Sequence, residues 1–355
     1  MEGQADEPTV IILVDEVGGV NAPEFRTSTA SETTLISPDL SAHELWIARF
    51  LNRLKLENEP HLLHVHSAAV ARGDAAVLLV GRSGVGKSTL TAGLVSRGWD
   101  YATDEQVTIS PDSGRLIPYP RPITLRRAVW PLFTDVGEVR AALAGPAVGQ
   151  RIEIAPATLG SVSDFEKLTP MMIVAPNHDA TLETRIERLP STAASVELLA
   201  TSCFDMDRLG PAGLEALIAL ACRCCGWRLT YSDLDEASEL LTGAFVEAIR
   251  APEVSVRELS GVSKETKAPP GFLVRSHDAR CWAFGDGSSV VVDPTGRRLV
   301  QLDSYGVALW ELLEVPHSLD DLVSLASDED ARLGLRGWID TLAGSGFIVL
   351  SSGLT

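Results

Sequence analysis

The sequence lacks the features that mark membrane, secreted and nucleic-acid-binding proteins. No apolar run approaches the length of a membrane-spanning helix. Residues 1–8 contain no basic region followed by an apolar core, so we expect no signal peptide and a cytoplasmic location. Basic residues are few: 30 Lys and Arg against 48 Asp and Glu give a formal net charge of −18. This balance argues against nucleic acid or an anionic membrane as a partner.

Cysteine is also scarce, with five residues in 355. Three of them, Cys222, Cys224 and Cys225, crowd the apolar segment 217–226, which is typical of a buried helix. Ligation of a structural metal would need a second cluster at ligand spacing, and the sequence contains none. Small buried thiols in a reducing compartment are therefore favoured over metal ligation.

The apolar content, 45% of 355 residues, is enough for a sizeable core, and the length suggests two or three domains. An amphipathic helix is predicted from about Ala42 to Leu56, because Trp46, Phe50 and Leu54 recur at i, i+4 and i+8. A proline-containing stretch with alternating charges and no clear period reads as a linker. The predicted segments are an N-terminal extension over 1–55, an α/β domain over 56–250, the linker over 251–267 and a small domain over 268–355.

The most informative stretch runs from Val77 to Leu90. An apolar strand leads into Gly81-x-x-x-x-Gly86-Lys87-Ser88, and apolar residues then recur at helical spacing. Strand, glycine-rich loop and helix form the context that a phosphate-binding P-loop requires, although a chance glycine-rich turn is the alternative. Glycines allow backbone N–H groups to wrap around phosphate at a helix N-terminus. The predicted nucleotide-binding residues are Gly81, Ser83, Gly84, Val85, Gly86, Lys87, Ser88 and Thr89.

P-loop chemistry assigns roles to further side chains. The lysine, here Lys87, reaches the β- and γ-phosphates and the serine hydroxyl, here Ser88, binds Mg²⁺, so ATP and Mg²⁺ are the expected ligands. A carboxylate is also needed to hold Mg²⁺ or to take a proton from the nucleophile. Asp104 and Glu105, on a short strand predicted over 99–109, are the nearest such pair. An ordinary acidic strand end is the alternative.

Two more residues are candidates for the same site. His64 and His66 alternate along a strand predicted over 62–70, so they are expected to share one face. His66 could reach the γ-phosphate or the acceptor hydroxyl, or it could be a hydrogen-bonded core residue. Arg121 lies between two prolines and could contact phosphate, or it could belong to a surface turn.

The C-terminal segment has the pattern of a small β3α3 unit of winged-helix type. Ser304 and Ser318 stand where helix N-caps belong, and Gly346 follows the last helix. Its predicted strands cover 282–284, 289–292 and 299–302, and its predicted helices cover 304–314, 319–327 and 331–344.

The run from His66 through the glycine-rich loop to Asp104-Glu105 resembles the catalytic domain of the HPr kinase/phosphorylase family and its relatives. In that family a His-bearing strand precedes the P-loop strand, the helix ends in Arg-Gly (Arg97-Gly98 here), and an acidic pair follows. The resemblance covers about residues 60–126, and more loosely continues to about 245. It implies an HPr-kinase-like P-loop kinase fold and a possible homo-oligomer. It further implies Asp104 as the base for the acceptor hydroxyl, His66 as a helper at the phosphate and Glu105 as a group that assists with Mg²⁺. The pair is Asp-Glu here, where the parent family has Asp-Asp.

The tail resembles a PqqD-like domain, the leader-peptide recognition element of ribosomal peptide maturation. The matching text includes Val291-Val-Asp-Pro, Gly306-Val-Ala-Leu-Trp-Glu-Leu-Leu313 and Leu342-Ala-Gly-Ser-Gly-Phe-Ile348. Such domains hold a peptide as an added strand, with the last helix as the other wall. The resemblance therefore implies contacts from the third strand and the last helix, although the two helix residues also fit a solvated face. The implied peptide-binding residues are Leu299, Val300, Gln301, Leu302, Arg336 and Asp340.

Taken with the P-loop, these resemblances imply an ATP- and Mg²⁺-dependent kinase. Its expected substrate is a Ser or Thr hydroxyl of a ribosomally made precursor peptide held by the tail. One alternative is a small-molecule kinase whose tail is structural. Another is a nucleotide-dependent chaperone or scaffold that binds peptide without phosphoryl transfer.

Overall fold

The structure, a computed structural model, describes residues 12–16, 25–29, 33–37, 40–144, 151–204, 206–259, 268–276, 278–293, 297–326 and 328–351. It is a mixed α/β protein with one large mixed sheet. The chain divides into two units, one of Met1–Pro60 with Thr124–Ile152 and one of His61–Ile123 with Glu153–Thr355. Within the described ranges, no helix combines the length and the apolar character that crossing a bilayer requires.

The chain begins with a three-stranded antiparallel sheet followed by a long helix. The first strand that the structure describes begins at Ile12 and pairs with the second, Phe25–Thr29. The predicted amphipathic helix is confirmed, and the rings of Trp46 and Phe50 stack on it 4.9 Å apart. The elements are β1 Ile12–Glu16, β2 Phe25–Thr29, β3 Thr33–Ser37 and α1 Leu40–Asn58.

In the next segment, each of two strands predicted to be continuous is interrupted and forms two shorter strands. The strand predicted over 62–70 is two strands in different sheets, separated at His66. The strand predicted over 99–109 is likewise two strands, and Asp104 and Glu105 lie in the turn between them. The elements are β4 Leu63–Val65, β5 Ser67–Arg72, β6 Ala75–Val80, α2 Lys87–Val95, β7 Asp100–Thr103, β8 Val107–Ile109 and β9 Leu116–Ile117.

Residues 124–152 group with the N-terminal unit, although they lie within the α/β domain predicted over 56–250. A 3-10 helix, Arg127–Phe133, contains the buried Trp130, whose indole N–H donates to the carbonyl of Leu125 at 3.1 Å. The other elements are β10 Ile123–Arg126, α3 Gly137–Ala144 and β11 Arg151–Ile154, with β10 paired to β11.

The remaining α/β elements complete a six-stranded sheet of order β13-β14-β12-β6-β5-β7. The strand β12 is parallel to β6 and β14, whereas β5 is antiparallel to β6. Helices α5 and α6 share a core with Ala76, Leu78 and Val80, so α2 and α7 pack on the other face. The elements are α4 Pro156–Leu159, β12 Thr169–His178, β13 Arg185–Arg188, α5 Thr192–Ala200, α6 Met206–Arg223, β14 Cys225–Tyr231 and α7 Leu234–Arg250.

Three of the five cysteines are buried, whereas Cys203 and Cys225 are half-buried. Cys222 and Cys224 are in the core, and all five cysteines are free. Burial raises the pKa of Cys222 to about 11. The predicted helix through residue 225 ends earlier, at Arg223, and Cys225 begins β14. Burial confirms the core-thiol interpretation for Cys222 and Cys224, whereas Cys225 is only half-buried.

The tail contains the predicted strands and helices with additional strands. The stretch 251–267, predicted as a linker, contains the strand Val256–Leu259, which pairs with Arg280–Phe284, while residues 260–267 lie outside the described residues. The tail sheet has the order β15-β17-β18-β19. The elements are β15 Val256–Leu259, β16 Leu273–Arg275, β17 Arg280–Phe284, β18 Ser289–Val292, β19 Leu299–Leu302, α8 Ser304–Leu312, α9 Leu319–Ser324, α10 Glu329–Gly344 and β20 Ile348–Leu350.

Candidate functional site

The glycine-rich loop joins the central strand β6 to helix α2, as the sequence predicts. Gly84 and Gly86 have φ values of 93° and 100°, in the left-handed region that favours glycine. Helix α2 begins at Lys87, and no side chain caps its N-terminus. Its first backbone N–H groups and the positive end of its dipole therefore suit an anion. The other predicted loop and helix residues range from exposed Ser83 through half-buried Val85 and Ser88 to buried Thr89.

Two residues that sequence reasoning did not single out hold the end of this loop. The hydroxyl of Tyr231 donates to the carbonyl of Gly86 at 2.9 Å, and the backbone N–H of His178 donates to the carbonyl of Val85 at 3.0 Å. These two residues end the neighbouring parallel strands β14 and β12. Tyr231 ends the strand that the sequence predicts at 229–231, but its contact with Gly86 depends on sheet order.

Replacing Gly86 with alanine should destabilise the protein more than replacing another glycine of positive φ that has open space around it. A Cβ at this position would lie 2.4 Å from the Tyr231 hydroxyl and 2.8 Å from His178 Cβ. Gly98 is the matched control, because it has φ of 84° and open space around its Cβ position. Chemical denaturation should show a cost of about 1 kcal/mol for Gly98→Ala and about 1–3 kcal/mol more for Gly86→Ala. Equal costs would show that the Tyr231 contact does not constrain the loop.

The ammonium of Lys87 lies among three acceptors. Its Nζ is 2.6 Å from the Gly81 carbonyl, 3.1 Å from the Arg82 carbonyl and 3.0 Å from His66 Nε2. Burial lowers the pKa of Lys87, and the charges of Glu105 and Asp104 oppose this change. The positive charge is therefore held at the start of the loop and beside an imidazole.

His66 lies at the break between β4 and β5, where its ring contacts both Lys87 and the acidic turn. Its Nδ1 is 3.1 Å from the Glu105 carbonyl and must donate there, so Nε2 is left to accept from Lys87. Burial lowers the pKa of His66, and the Lys87 charge lowers it further, whereas Glu105 opposes both. His66 is therefore neutral at pH 7 and presents an unprotonated Nε2.

His64 has different surroundings. It is fully buried, with Nδ1 3.2 Å from the Thr108 hydroxyl and 3.1 Å from the Gln106 side-chain amide. The prediction that the two histidines share one strand face is wrong, because the strand ends at Val65. His64 is the core histidine of the pair.

Glu105 has an unusual backbone conformation. Its φ of 69° is the sole positive value for a non-glycine residue in the described part of the chain. This conformation costs a glutamate about 1–2 kcal/mol, so the surrounding structure must compensate for it. The same residue supplies the carbonyl that accepts from His66, and its carboxylate lies 3.6 Å from His66 Nδ1. The strained turn thus orients the imidazole.

Asp104 is the most unusual group of the site. Its side chain is 1% exposed, and within the described residues neither carboxylate oxygen has a hydrogen-bond partner. Burial raises its pKa to about 6 and the charge of Glu105 adds to this, whereas the Ser88 hydroxyl, the Glu105 backbone N–H and Arg121 oppose it. Ser88 lies near enough to influence the carboxyl without a well-aligned hydrogen bond. An unpaired buried carboxylate is costly, so it calls for an explanation such as a catalytic role or a bound ion or water.

The donor set around Asp104 fits Mg²⁺ on a nucleotide. Mg²⁺ binds one or two protein carboxylates and completes its shell with phosphate oxygens and water. Asp104, Glu105 and Ser88 supply two carboxylates and a hydroxyl on the turn and the first turn of α2. The described residues contain no group of three or more His, Cys, Asp and Glu that could hold a metal ion.

Arg121 belongs to the same cluster. The buried Tyr101 donates its hydroxyl to the Arg121 carbonyl at 2.7 Å, and the Arg121 charge lowers the pKa of Asp104. The half-buried Arg121 therefore lies within electrostatic range of the acidic turn. The structure brings the four predicted catalytic residues together: His66, Lys87, Asp104 and Arg121.

The residues predicted to bind peptide lie in the tail, apart from this cluster. The strand β19 is at the edge of its sheet, and β18 is its one partner among the described strands. Leu299, Val300 and Gln301 are half-buried, and Leu302 is buried. On α10, Arg336 and Asp340 are exposed.

Comparison with known proteins gives no family for the chain. A scan against protein-family models finds no match, and a search of curated proteins finds no match either.

Proposed function

We propose that the protein is an ATP-dependent kinase that phosphorylates a Ser or Thr hydroxyl of a ribosomally made precursor peptide. In this proposal the main α/β region is an HPr-kinase-like P-loop domain and the tail is a PqqD-like peptide-recognition domain. The class of enzyme in this proposal comes from the resemblances in the sequence. The arrangement of charged groups around the glycine-rich loop supports it.

The observation that carries the proposal is the buried, unpaired carboxylate of Asp104 beside Ser88. A nucleotide-binding scaffold needs this carboxylate at most as a ligand for Mg²⁺ and does not need a proton acceptor. A kinase needs one, because the acceptor hydroxyl must lose a proton as it attacks. The pKa of about 6 keeps the group mostly ionised at pH 7 and close enough to neutrality for proton transfer.

The reaction moves one phosphoryl group. Bound Mg²⁺–ATP supplies the γ-phosphoryl group and metal charge that neutralises the phosphates. The acceptor oxygen forms the new P–O bond, the bond from the γ-phosphorus to the ADP oxygen breaks, and the hydroxyl proton passes to Asp104. Lys87 and the loop N–H groups stabilise charge on the transferred group. The neutral Nε2 of His66 accepts from Lys87 and so directs that ammonium.

The tail offers a place for the peptide. An extended peptide could add to the outer edge of β19, where backbone groups provide affinity and pockets for alternate side chains provide specificity. Arg298, directly before β19, donates to the Ser345 carbonyl at the end of α10 at 2.8 Å, which fixes this strand relative to that helix. A peptide held there would have a raised effective concentration at the kinase site.

Intact-mass spectrometry of a precursor peptide encoded beside this gene tests the proposal. After incubation with the protein, Mg²⁺ and ATP, we expect a gain of about 80 Da, the mass of one phosphoryl group added in P–O bond formation. Fragmentation should place it on a Ser or Thr. A peptide that binds tightly without a mass gain would contradict the proposal and favour a scaffold. Phosphorylation of free hydroxyl compounds, but not of peptide, would favour a small-molecule kinase.

A further inference from the structure

The tail sheet packs against the main α/β region through one of its faces. Trp282, Phe284, Val290 and Val292 are buried in the same core as Leu199 on α5. The alternate residues of these strands, such as Cys281 and Val291, face the tail's own helices. Both faces of the tail sheet are therefore covered, and the tail shares a core with α5 and α6.

The N-terminus of α5 is hydrogen-bonded to the tail. One carboxylate oxygen of Asp286, in the turn between β17 and β18, accepts from the Thr192 N–H and from the Thr192 hydroxyl, each at 2.7 Å. The Ser288 hydroxyl accepts from the Ala193 N–H at 3.2 Å. Further along α5, Glu197 accepts a hydrogen bond from Gln301 of β19. The turn between β17 and β18 therefore fixes the start of this helix, and β19 contacts its side.

The segment that follows the C-terminal end of α5 contacts His66. The Ser202 carbonyl accepts from the His66 backbone N–H at 2.7 Å, and the Phe204 N–H donates to the His64 carbonyl at 3.0 Å. The Phe204 ring meets the imidazole edge-on, with ring centres 5.6 Å apart and an interplanar angle of 75°. Phe204 itself is 48% exposed, so its contact with the imidazole lies at the protein surface. The segment after α5 thus holds both the backbone and the ring of His66.

We propose that Asp286 and Phe204 are positioning residues for His66: the tail holds α5 through Asp286, and Phe204 holds the imidazole against Lys87 and Glu105. Helix α5 is the connection, nine residues and about 14 Å long. The inference rests on the proposed function only for what His66 does in the reaction. Strand β19 also contacts α5 through Gln301 and Glu197. A peptide bound to that strand would therefore contact a strand that holds the same helix as the one leading to His66.

Ring resonances of ¹⁵N-histidine in the full-length protein test this link without any measurement of phosphoryl transfer. His66 is assigned by its loss in His66→Gln, and the shifts of its Nδ1 and Nε2 report which nitrogen carries the proton and how each is hydrogen-bonded. Asp286→Ala and Phe204→Ala should each move the His66 ring resonances, because the Ser202 carbonyl and the Phe204 ring that hold this residue against Lys87 and Glu105 would be displaced. Lys87 and Glu105, with nearby Asp104, are the charged groups around the ring and are unchanged in these variants.

Conservative variants separate positioning from general damage. Asp286→Asn keeps an oxygen acceptor and Phe204→Leu keeps an apolar side chain, so both should lie closer to wild type. Asp320→Ala, an exposed aspartate on α9, should leave His66 unchanged. If Asp286→Ala fails to fold, Ser288→Ala replaces it, because it removes the 3.2 Å bond from the Ala193 N–H and the 2.6 Å bond to Asp286 but keeps the Asp286 carboxylate.

Kinetics give a second readout on the same variants. Asp286→Ala should lower kcat severalfold with little change in KM for ATP, because the glycine-rich loop is untouched. Unchanged His66 resonances in folded Asp286→Ala, or in folded Ser288→Ala if that replaces it, would overturn the inference. A shifted His66 in a protein that phosphorylates no peptide would keep the link and refute the proposed function.

Discussion

Replacing Asp104 with asparagine is expected to abolish phosphoryl transfer and at the same time to stabilise the protein above pH 6. Loss of a positioned base lowers the rate by about 10²–10⁴-fold, while the loop residues that bind nucleotide remain. Calorimetric titration of ATP and the initial rate of peptide phosphorylation measure the two effects. A scaffold would scarcely respond to this change.

The stability effect follows from the raised pKa of Asp104. Burial keeps its pKa near 6 in the folded chain, above the ordinary value of 3.8, so folding favours the protonated form. The stability that this preference provides is complete below pH 3.8 and is lost as the pH rises through 6. The ionised carboxylate therefore costs up to about 3 kcal/mol at pH 8, and the neutral asparagine relieves that cost.

Urea denaturation at pH 4 and pH 8 measures this difference directly. Wild type should lose stability relative to Asp104→Asn as the pH rises between these values. Asp112→Asn is the control, because Asp112 is exposed in a turn, and it should follow wild type. If Asp104→Asn were less stable than wild type at pH 8 and fully active, the carboxylate would be a structural group.

Replacing Lys87 with alanine is expected to remove transfer and to raise the pKa of His66. Removing a preorganised charge from a developing anionic centre lowers kcat by about 10²–10³-fold. The pKa of His66 is lowered first by burial and second by the Lys87 charge, and this variant weakens both causes. The imidazole also loses the donor that lies 3.0 Å from its Nε2.

A pH titration of the His66 ring resonances and ATP calorimetry check this expectation. The His66 pKa should rise and ATP affinity should fall together. Lys167→Ala removes an exposed lysine and should change neither quantity. A His66 titration curve that is identical in Lys87→Ala and wild type would show that the contact between the two side chains has no energetic weight.

The loop and its helix were predictable because their signals are local. Glycine positions set the backbone angles of Gly84 and Gly86, and the apolar run before them is long enough to mark a buried strand. Asp104 could be placed near the loop by its distance along the chain. The burial of its carboxylate without a hydrogen-bond partner could not be predicted, because that burial depends on how Tyr101 and the turn pack in the folded chain.

The strand breaks at His66 and at Asp104 escaped prediction for a physical reason. Residues on both sides of each break are buried in one sheet or another, so the apolar pattern continues across it. Strand β12 was missed because Pro170 and Pro176 weaken the strand signal, although it pairs on both sides. A register shift between Pro170 and Met172 accommodates the first proline.

The most direct test of the central claim is to count ADP and phosphopeptide formed in one reaction of the wild-type protein with Mg²⁺–ATP and precursor peptide. A kinase that uses Asp104 as its base should form the two in equal amounts, and Asp104→Asn should form neither. ADP without phosphopeptide, or bound peptide and ATP with no turnover, would contradict the assignment of the site as a peptide kinase.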